Sequence, residues 1–391
     1  MLNTPFSPWP NFSQEEAESV SRVLLSNRVN YWTGEECREF EREFAPWADC
    51  SYAVSLANGT VALDLALVAL GLKPGDEVVV TPRSFVASAS CVVNAGLVPV
   101  FADVDRDSQN ISAETIRAVL TERTRAILCV HLAGWPCDMA PIMELARAND
   151  IFVIEDCAQA HGAKYQGRAV GSWGDINAWS FCQDKIMTTG GEGGMVTTNR
   201  RDLWEKAWSY KDHGKSWDAV YHRSHPPGFR WLHESFGTNW RMLEMQAVIG
   251  RIQLKRMEEW HVARTRNANA ICEAAMSCSG LRVPTLPSDS EHAWYRCYVY
   301  VKPEKLRSDW TRDRMVQEIN KAGVPCFQGT CSEIYLEKCF QDAGFVPEQR
   351  LPNTMELGAT SLAFLVHPSL TSEEIRKTCE VLQDVAGRAT F

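Results

Sequence analysis

Residues 179–195, WSFCQDKIMTTGGEGGM, hold one lysine, Lys185, between a short apolar run and four glycines. An amine beside so much bare backbone can be a surface charge, a phosphate clamp or a covalent nucleophile. Other stretches bear on that choice. IFVIED ends in Glu155 and Asp156, two carboxylates that could anchor a cationic ring nitrogen or a metal, or be ordinary loop acids. Metal is the weaker option: His161 stands nearby, but no compact set of ligands accompanies it. Asn58-Gly59-Thr60 separates SYAVSL from VALDLALVALG. Free amides at such a helix start bind phosphate, and Thr60 adds a hydroxyl, although Asn and Thr are also plain N-caps. Phe85 follows EVVVTP and could cover a flat ring or fill the core. Ser180, five residues before Lys185, offers a second hydroxyl to a phosphate.

For these residues to meet, the elements carrying them must be ordered in one sheet. Ser13 with Glu16 reads as a capping box opening a helix to about Asn27, and a second helix is expected from Glu35 to about Phe44. Strand and helix signals then alternate: SYAVSL, VALDLALVALG, EVVVTP, a helix through Ala87–Val93, VPVFADVD, AILCVHL, MAPIMELARAND, IFVIED and DINAWSF. Short apolar strands alternating with helices predict an α/β fold with a mostly parallel sheet flanked by helices. In such sheets ligands sit at the carboxyl ends of strands, which is where the candidate residues fall. Residues 241–260 read as one long helix with apolar positions at Met242, Met245, Ile249 and Ile252. Beyond it, HAWYRCYVYVKP, RDRMVQEINKAG and TSEEIRKTCEVLQDV give a strand and two helices of a smaller α+β domain. The division expected is 1–255 for the large domain and 256–391 for the small one.

Composition narrows the class. The 391-residue chain has a formal net charge of -9, which argues against a nucleic-acid surface. Its 14 cysteines are scattered without a CxxC pair, as free thiols of a reducing cytosol would be, and the expected location is cytoplasmic. MLNTPFSPWPNF has no signal-peptide pattern. Ser84–Ala102 carries no charge, but its serines, Asn94, Gly96 and Pro99 fit a helix, turn and strand better than a bilayer span. Neither a Walker loop nor a GxGxxG after the first strand is present, which removes the common nucleotide sites.

A phosphate seat, an aromatic cover, a carboxylate for a ring nitrogen and a lysine for an aldehyde together describe pyridoxal 5'-phosphate (PLP). With NGTVAL at 58–63, SFVASA at 84–89, EDCAQAHGA at 155–163, SFCQDKIMTTGGEGG at 180–194 and GTNWRMLEMQAVIG at 237–250, the chain resembles the DegT/StrS-type sugar-nucleotide aminotransferases. The resemblance implies the aspartate-aminotransferase fold, that is, fold type I of the PLP-dependent enzymes. It implies that Lys185 is the Schiff-base and proton-carrying residue. Asp156 would pair with the ring nitrogen, Gln159 would bond the ring hydroxyl and Phe85 would stack on the ring. Gly59, Thr60 and Ser180 would hold the phosphate, joined by Asn239 from the second subunit of a homodimer. An unperturbed lysine amine, with a pKa near 10.4, is a poor nucleophile at neutral pH, and burial or cationic neighbours can correct that.

The implied reaction moves an amino group from L-glutamate to a nucleotide-linked keto-sugar, with pyridoxamine phosphate as the half-reaction form, in amino-sugar and surface-polysaccharide (O-antigen) biosynthesis. TTGGEGG is similar to the TTGEGG of members acting at C4 of a 4-keto-6-deoxyhexose, with one added glycine. The alternatives are amination at C3, a PLP lyase or desulfurase on this fold, and a non-enzymatic regulator. An intact Lys185, Asp156 and Gln159 speaks against the last, and no cysteine is singled out for a desulfurase. Segment 324–335 departs from the family's histidine- and proline-rich pattern, whereas His367-Pro368 matches its late His-Pro. His213, Arg241 and the loop 221–235 are open between substrate contact and plain solvated or interface roles.

Overall fold

The computed structural model describes residues 5–226 and 230–391. Its main sheet holds seven strands: β1 (Tyr52–Leu56), β2 (Glu77–Val80), β3 (Val98–Phe101), β4 (Thr124–Val130), β5 (Phe152–Asp156), β6 (Ile176–Ser180) and β7 (Gly194–Thr198). Their spatial order is β1-β7-β6-β5-β4-β2-β3. β7 runs antiparallel to both neighbours and every other pairing with a recorded register is parallel. Strands β2, β6 and β7 are buried at every residue, as strands covered on both faces are.

The expected helices form. Helix α1 (Gln14–Leu25) opens with the Ser13–Glu16 capping box, and α2 (Glu36–Trp47) follows. Helix α3 (Gly59–Leu70) starts at the Asn58 cap and stops at Gly71, whose φ of 71° makes a left-handed C-cap. Helix α4 (Ala87–Asn94) and β3 take up the uncharged stretch Ser84–Ala102, and among the described residues no helix is long and apolar enough to cross a membrane. Helix α5 (Met139–Ala148) precedes β5, and α6 (Arg201–Lys211) follows β7.

Residues 241–260 are two helices rather than the expected one. Helix α7 (Glu244–Leu254) ends at Lys255, and α8 (Met257–Met276) begins after Arg256. The joint lies where the Arg256 guanidinium reaches Ser13 Oγ at 3.0 Å, Glu15 at 2.7 Å and Glu16 at 3.2 Å on the start of α1. A second sheet follows, of β8 (Leu281–Arg282), β9 (Cys297–Val301), β10 (Cys326–Phe327) and β11 (Ser361–Phe364), in the order β8-β9-β11-β10 and antiparallel throughout. It packs with α8, α9 (Arg312–Lys321) and α10 (Ser372–Ala389) around a core of its own. Ile334, Tyr335 and Phe340 nevertheless join the core of the main sheet. All fourteen cysteines are free thiols.

Candidate functional site

A cavity of about 590 Å³ opens at the carboxyl ends of β5 and β6, beside the start of α3. Gly59, Thr60, Phe85, Asp156, Gln159, Ser180 and Lys185, seven of the eight residues singled out in the sequence, line it. Asn239 is not among its lining residues; it is exposed and bridged to Asp212 in an antiparallel pair.

The start of α3 is fixed by Asn58, whose side chain accepts the Val61 N–H at 3.0 Å. The amides of Gly59 and Thr60, in the same first turn, belong to the set that a helix leaves unpaired. Close packing explains the glycine: a Cβ on Gly59 would lie 2.5 Å from Ser180 Cβ and 2.8 Å from its hydroxyl. The helix end therefore lies directly against the end of β6, with free amides and a serine hydroxyl on one rim. Phe85 is not core: it is 64% exposed, on the loop after β2.

The two strand-end carboxylates face different surroundings. Glu155 accepts the backbone N–H groups of Gly171, Trp173 and Gly174 at 2.7–2.8 Å and meets His131 Nε2 at 2.9 Å. His131 Nδ1 accepts the Cys137 N–H, so Nε2 carries the proton toward Glu155. Ligand atoms of His131, Glu155 and Cys157 do lie within 4.8 Å of one another, but the histidine and the carboxylate are already committed to these bonds. Asp156 instead lines the cavity, and among the described residues only Ser88 Oγ at 2.8 Å and the Ala158 N–H at 3.1 Å donate to its carboxylate. Burial pushes its carboxyl above the usual range, only partly offset by those two bonds, Lys185 and His131. A buried carboxylate hydrogen-bonded only by neutral donors is suited to pairing with a cation brought into the cavity.

Lys185 is 15% exposed, with Nζ 3.7 Å from Asp184 and 5.0 Å from the centre of the Tyr295 ring. Asp184 is also bonded by the Tyr295 hydroxyl and lies 3.8 Å from Arg296, and these lysine, tyrosine and arginine partners hold its carboxyl below the usual range against the opposing effect of burial. Trp9 Nε1 donates to the Lys185 carbonyl at 2.8 Å, pinning the backbone behind the amine. Gln159 Oε1 accepts the Ala133 N–H at 2.8 Å, which leaves its amide nitrogen as the group available to the cavity. Ser88 and Asp184 lie in the stretches SFVASA and SFCQDKIMTTGGEGG but are given no role there by the sequence, whereas Trp9 and Tyr295 carry no signal, because they lie far from the site in the chain and meet it only through the fold.

The remaining residues have settled places. His367 is buried, stacked on Trp9 with ring centroids 5.8 Å apart, so it supports the site from behind. Arg241 bonds Asp212 at 2.8 Å, and His213 is exposed with a φ of 62°. Residues 227–229 of the loop 221–235 lie outside the described residues, and its Arg223 is paired with Asp218 and Glu234. In TTGGEGG, Gly190 and Gly191 turn the chain at φ of 82° and 116°, while Gly194 packs where a Cβ would meet Asn58 O at 2.2 Å.

This set fits PLP. The free amides and hydroxyls offer a phosphate seat, Phe85 a cover, Asp156 a partner for a protonated ring nitrogen, Gln159 a donor and Lys185 an amine. Comparison with known proteins agrees. Residues 10–383 match the model of the DegT/DnrJ/EryC1/StrS aminotransferase family. The chain is 33% identical over 375 residues to a GDP-perosamine synthase of Escherichia coli O157:H7, covering 96% of each chain. It is 34% identical to a UDP-N-acetyl-3-dehydro-alpha-D-glucosamine 3-aminotransferase of Acidithiobacillus ferrooxidans, covering 98% of this chain and 96% of that one. A crystal structure of the aminotransferase from Psychrobacter cryohalolentis superposes with a TM-score of 0.97 at 62% identity, covering 98% of this chain and 100% of that one. The chain therefore belongs to the DegT/DnrJ/EryC1/StrS aminotransferases, a family of PLP-dependent transaminases.

Proposed function

We propose that this enzyme moves an amino group from L-glutamate to a nucleotide-linked keto-sugar, at C4 of a 4-keto-6-deoxyhexose. The observation that carries the reading is one cavity faced by the Lys185 amine, the Asp156 carboxylate and the free amide end of α3. When bound, PLP supplies an electron sink for the carbon that loses its proton. In this reading Lys185 carries that proton between the substrate carbon and the cofactor. Asp156 keeps a proton on the ring nitrogen, Gln159 orients the ring hydroxyl, and Phe85 covers the ring face and excludes water. Gly59, Thr60 and Ser180 anchor the phosphate at the positive end of α3.

The exposure of Asn239, away from its own chain's cavity, supports a homodimer in which it completes the partner's phosphate seat. The separate core around the second sheet supports a large domain, 1–255, that binds the cofactor and a small one, 256–391. We place the enzyme in the cytoplasm, where nucleotide-sugars for surface polysaccharides such as O-antigen are built.

The test is the visible spectrum of the PLP-loaded protein with and without L-glutamate. The expected result is conversion of the lysine-bound cofactor band to the pyridoxamine form, with no lysine-bound band in a Lys185→Ala variant. Keto-sugar nucleotides are then screened for restoring the band, and the product amine is located by NMR. An amine at C3, the position in the name of the Acidithiobacillus relative, would replace the C4 assignment. A band that glutamate leaves unchanged would overturn the donor.

A further inference from the structure

Arg83 is the most deeply buried arginine of the cofactor side, with no exposed surface, although it lies two residues before the exposed Phe85. Among the described residues none of its hydrogen bonds goes to a carboxylate. Nε and Nη2 grip Gln109 Oε1 at 3.0 and 2.6 Å, Nη2 also donates to Ser361 Oγ at 2.8 Å, and Nη1 donates to Ser332 Oγ. The guanidinium lies 5.6 Å from the centre of the Tyr298 ring. These partners come from the loop after β3, from β9 and β11, and from the segment before Ile334. The backbone repeats the link, since the Ile334 N–H donates to the Pro82 carbonyl at 3.0 Å.

The other end of the loop reaches the cofactor seat. Ser84 Oγ is 2.9 Å from Ser88 Oγ, and Ser88 Oγ donates to Asp156 at 2.8 Å. A planar fork of five donors can join three chain segments spread around it, where a lysine ammonium offers three donors from a single point. Taking a cation out of water costs free energy, and here neutral hydrogen-bond acceptors and the nearby Tyr298 ring offset it.

We propose that Arg83 is a positioning residue of the active site, tying the loop of Phe85, Ser84 and Ser88, and through Ser88 the Asp156 carboxylate, to the C-terminal sheet and the segment 330–334. Movement of that segment is thereby transmitted to the face and the ring-nitrogen partner of the cofactor. The proposal rests on the assignment of Phe85 and Asp156 to PLP made above.

The experiment measures PLP dissociation constants and amide exchange of the cofactor-free protein for wild type, Arg83→Gln, Arg83→Lys and Val385→Ala. Val385 is a fully buried residue of the C-terminal core outside the Arg83 cage. Arg83→Gln is expected to weaken PLP tenfold or more and to speed exchange at 84–88 together with 332–334. Arg83→Lys should fall between it and wild type. Val385→Ala should lower the melting temperature while leaving PLP binding unchanged. The proposal is overturned if Arg83→Gln binds PLP within twofold of wild type, if exchange rises at 332–334 alone, or if Val385→Ala weakens PLP equally. Should Arg83→Gln fail to fold, Arg83→Lys decides by the same two readings. Wild type that forms no lysine-bound band would instead sink the cofactor assignment itself.

Discussion

Gly59→Ala isolates the phosphate seat from the rest of the site. The new methyl carbon would start 2.5 Å from Ser180 Cβ, 2.8 Å from Ser180 Oγ and 3.0 Å from Ser180 Cα, where ordinary contact begins near 3.4 Å. Ser180 is buried at the end of a fully buried strand, so α3 must give way. A retreat of about 1 Å lengthens an amide-to-phosphate hydrogen bond from about 2.9 to about 3.9 Å, beyond useful range. A hydrogen bond to a charged group is worth about 1.5–3 kcal/mol, so losing one weakens PLP by roughly ten- to a hundredfold. Global stability should fall by about 0–2 kcal/mol, because alanine's helical preference over glycine, up to about 1 kcal/mol, opposes an overpacking cost of about 1–3 kcal/mol. The assay is PLP titration of the cofactor-free protein, beside its urea unfolding curve. Gly59→Ala/Ser180→Gly should bind PLP several-fold better than Gly59→Ala alone, since space returns although the hydroxyl is lost. A single variant that folds and binds PLP within threefold of wild type would refute the packing argument, because α3 would then have absorbed the methyl without moving its amides.

Asp156→Asn should stabilise the cofactor-free protein at pH 7 while abolishing most turnover, as read by a melting curve and a glutamate half-reaction. The sign follows from its raised carboxyl: the folded state holds the proton more tightly than the unfolded chain, so ionisation above the unfolded pKa costs stability as pH rises. Glu155→Gln should do the reverse, losing about 3 kcal/mol in urea unfolding because an amide would face backbone donors, with PLP affinity in the folded fraction near wild type. A PLP loss larger than the stability loss would move Glu155 into the cofactor site. Burial pushes His161, His292 and His367 each down to about 3, so each stays neutral in the fold while the unfolded chain protonates near 6.5. Each then removes about 1.4 kcal/mol of stability per pH unit below 6.5, and melting curves from pH 7.5 to 5 should fall steeply with acid. A flat profile over that window would show that these rings find protons or partners inside.

What the sequence made legible follows from how locally each feature is determined. Helix α3 shows its cap, its apolar body and its glycine stop within fourteen residues, Asn58 to Gly71, and it forms as expected. Strand β7 was missed because two of the five residues of GMVTT are threonines and one is glycine, and its polarity is satisfied tertiarily. Thr197 Oγ1 donates to the Gly171 carbonyl at 2.9 Å and accepts from Trp179 Nε1, and Thr198 Oγ1 donates to the Asp175 carbonyl at 2.6 Å. No periodicity within β7 can reveal partners on two other segments. The break at Lys255–Arg256 has no local sign either, and the acceptors that meet Arg256 there, Ser13, Glu15 and Glu16, lie at the far end of the chain.

The site divides along the same line. Lys185, Asp156 and Gln159 stand in compact stretches whose residue types announce chemistry, and the cavity gathers them with Gly59, Thr60, Phe85 and Ser180. The residues that aim them are scattered: Trp9 behind the lysine, Ser88 on the aspartate, Tyr295 on Asp184 and Arg83 behind Phe85. Each is an ordinary residue in its own stretch and acquires a role only by a contact made across tens or hundreds of positions. Groups that react need particular chemical types, so they leave a mark on one short stretch. Groups that orient need only reach, and many residue types can supply a donor at 2.8 Å. The supporting layer of this enzyme is therefore where the three-dimensional structure adds most, and where substitutions should change binding and orientation before they change the chemistry.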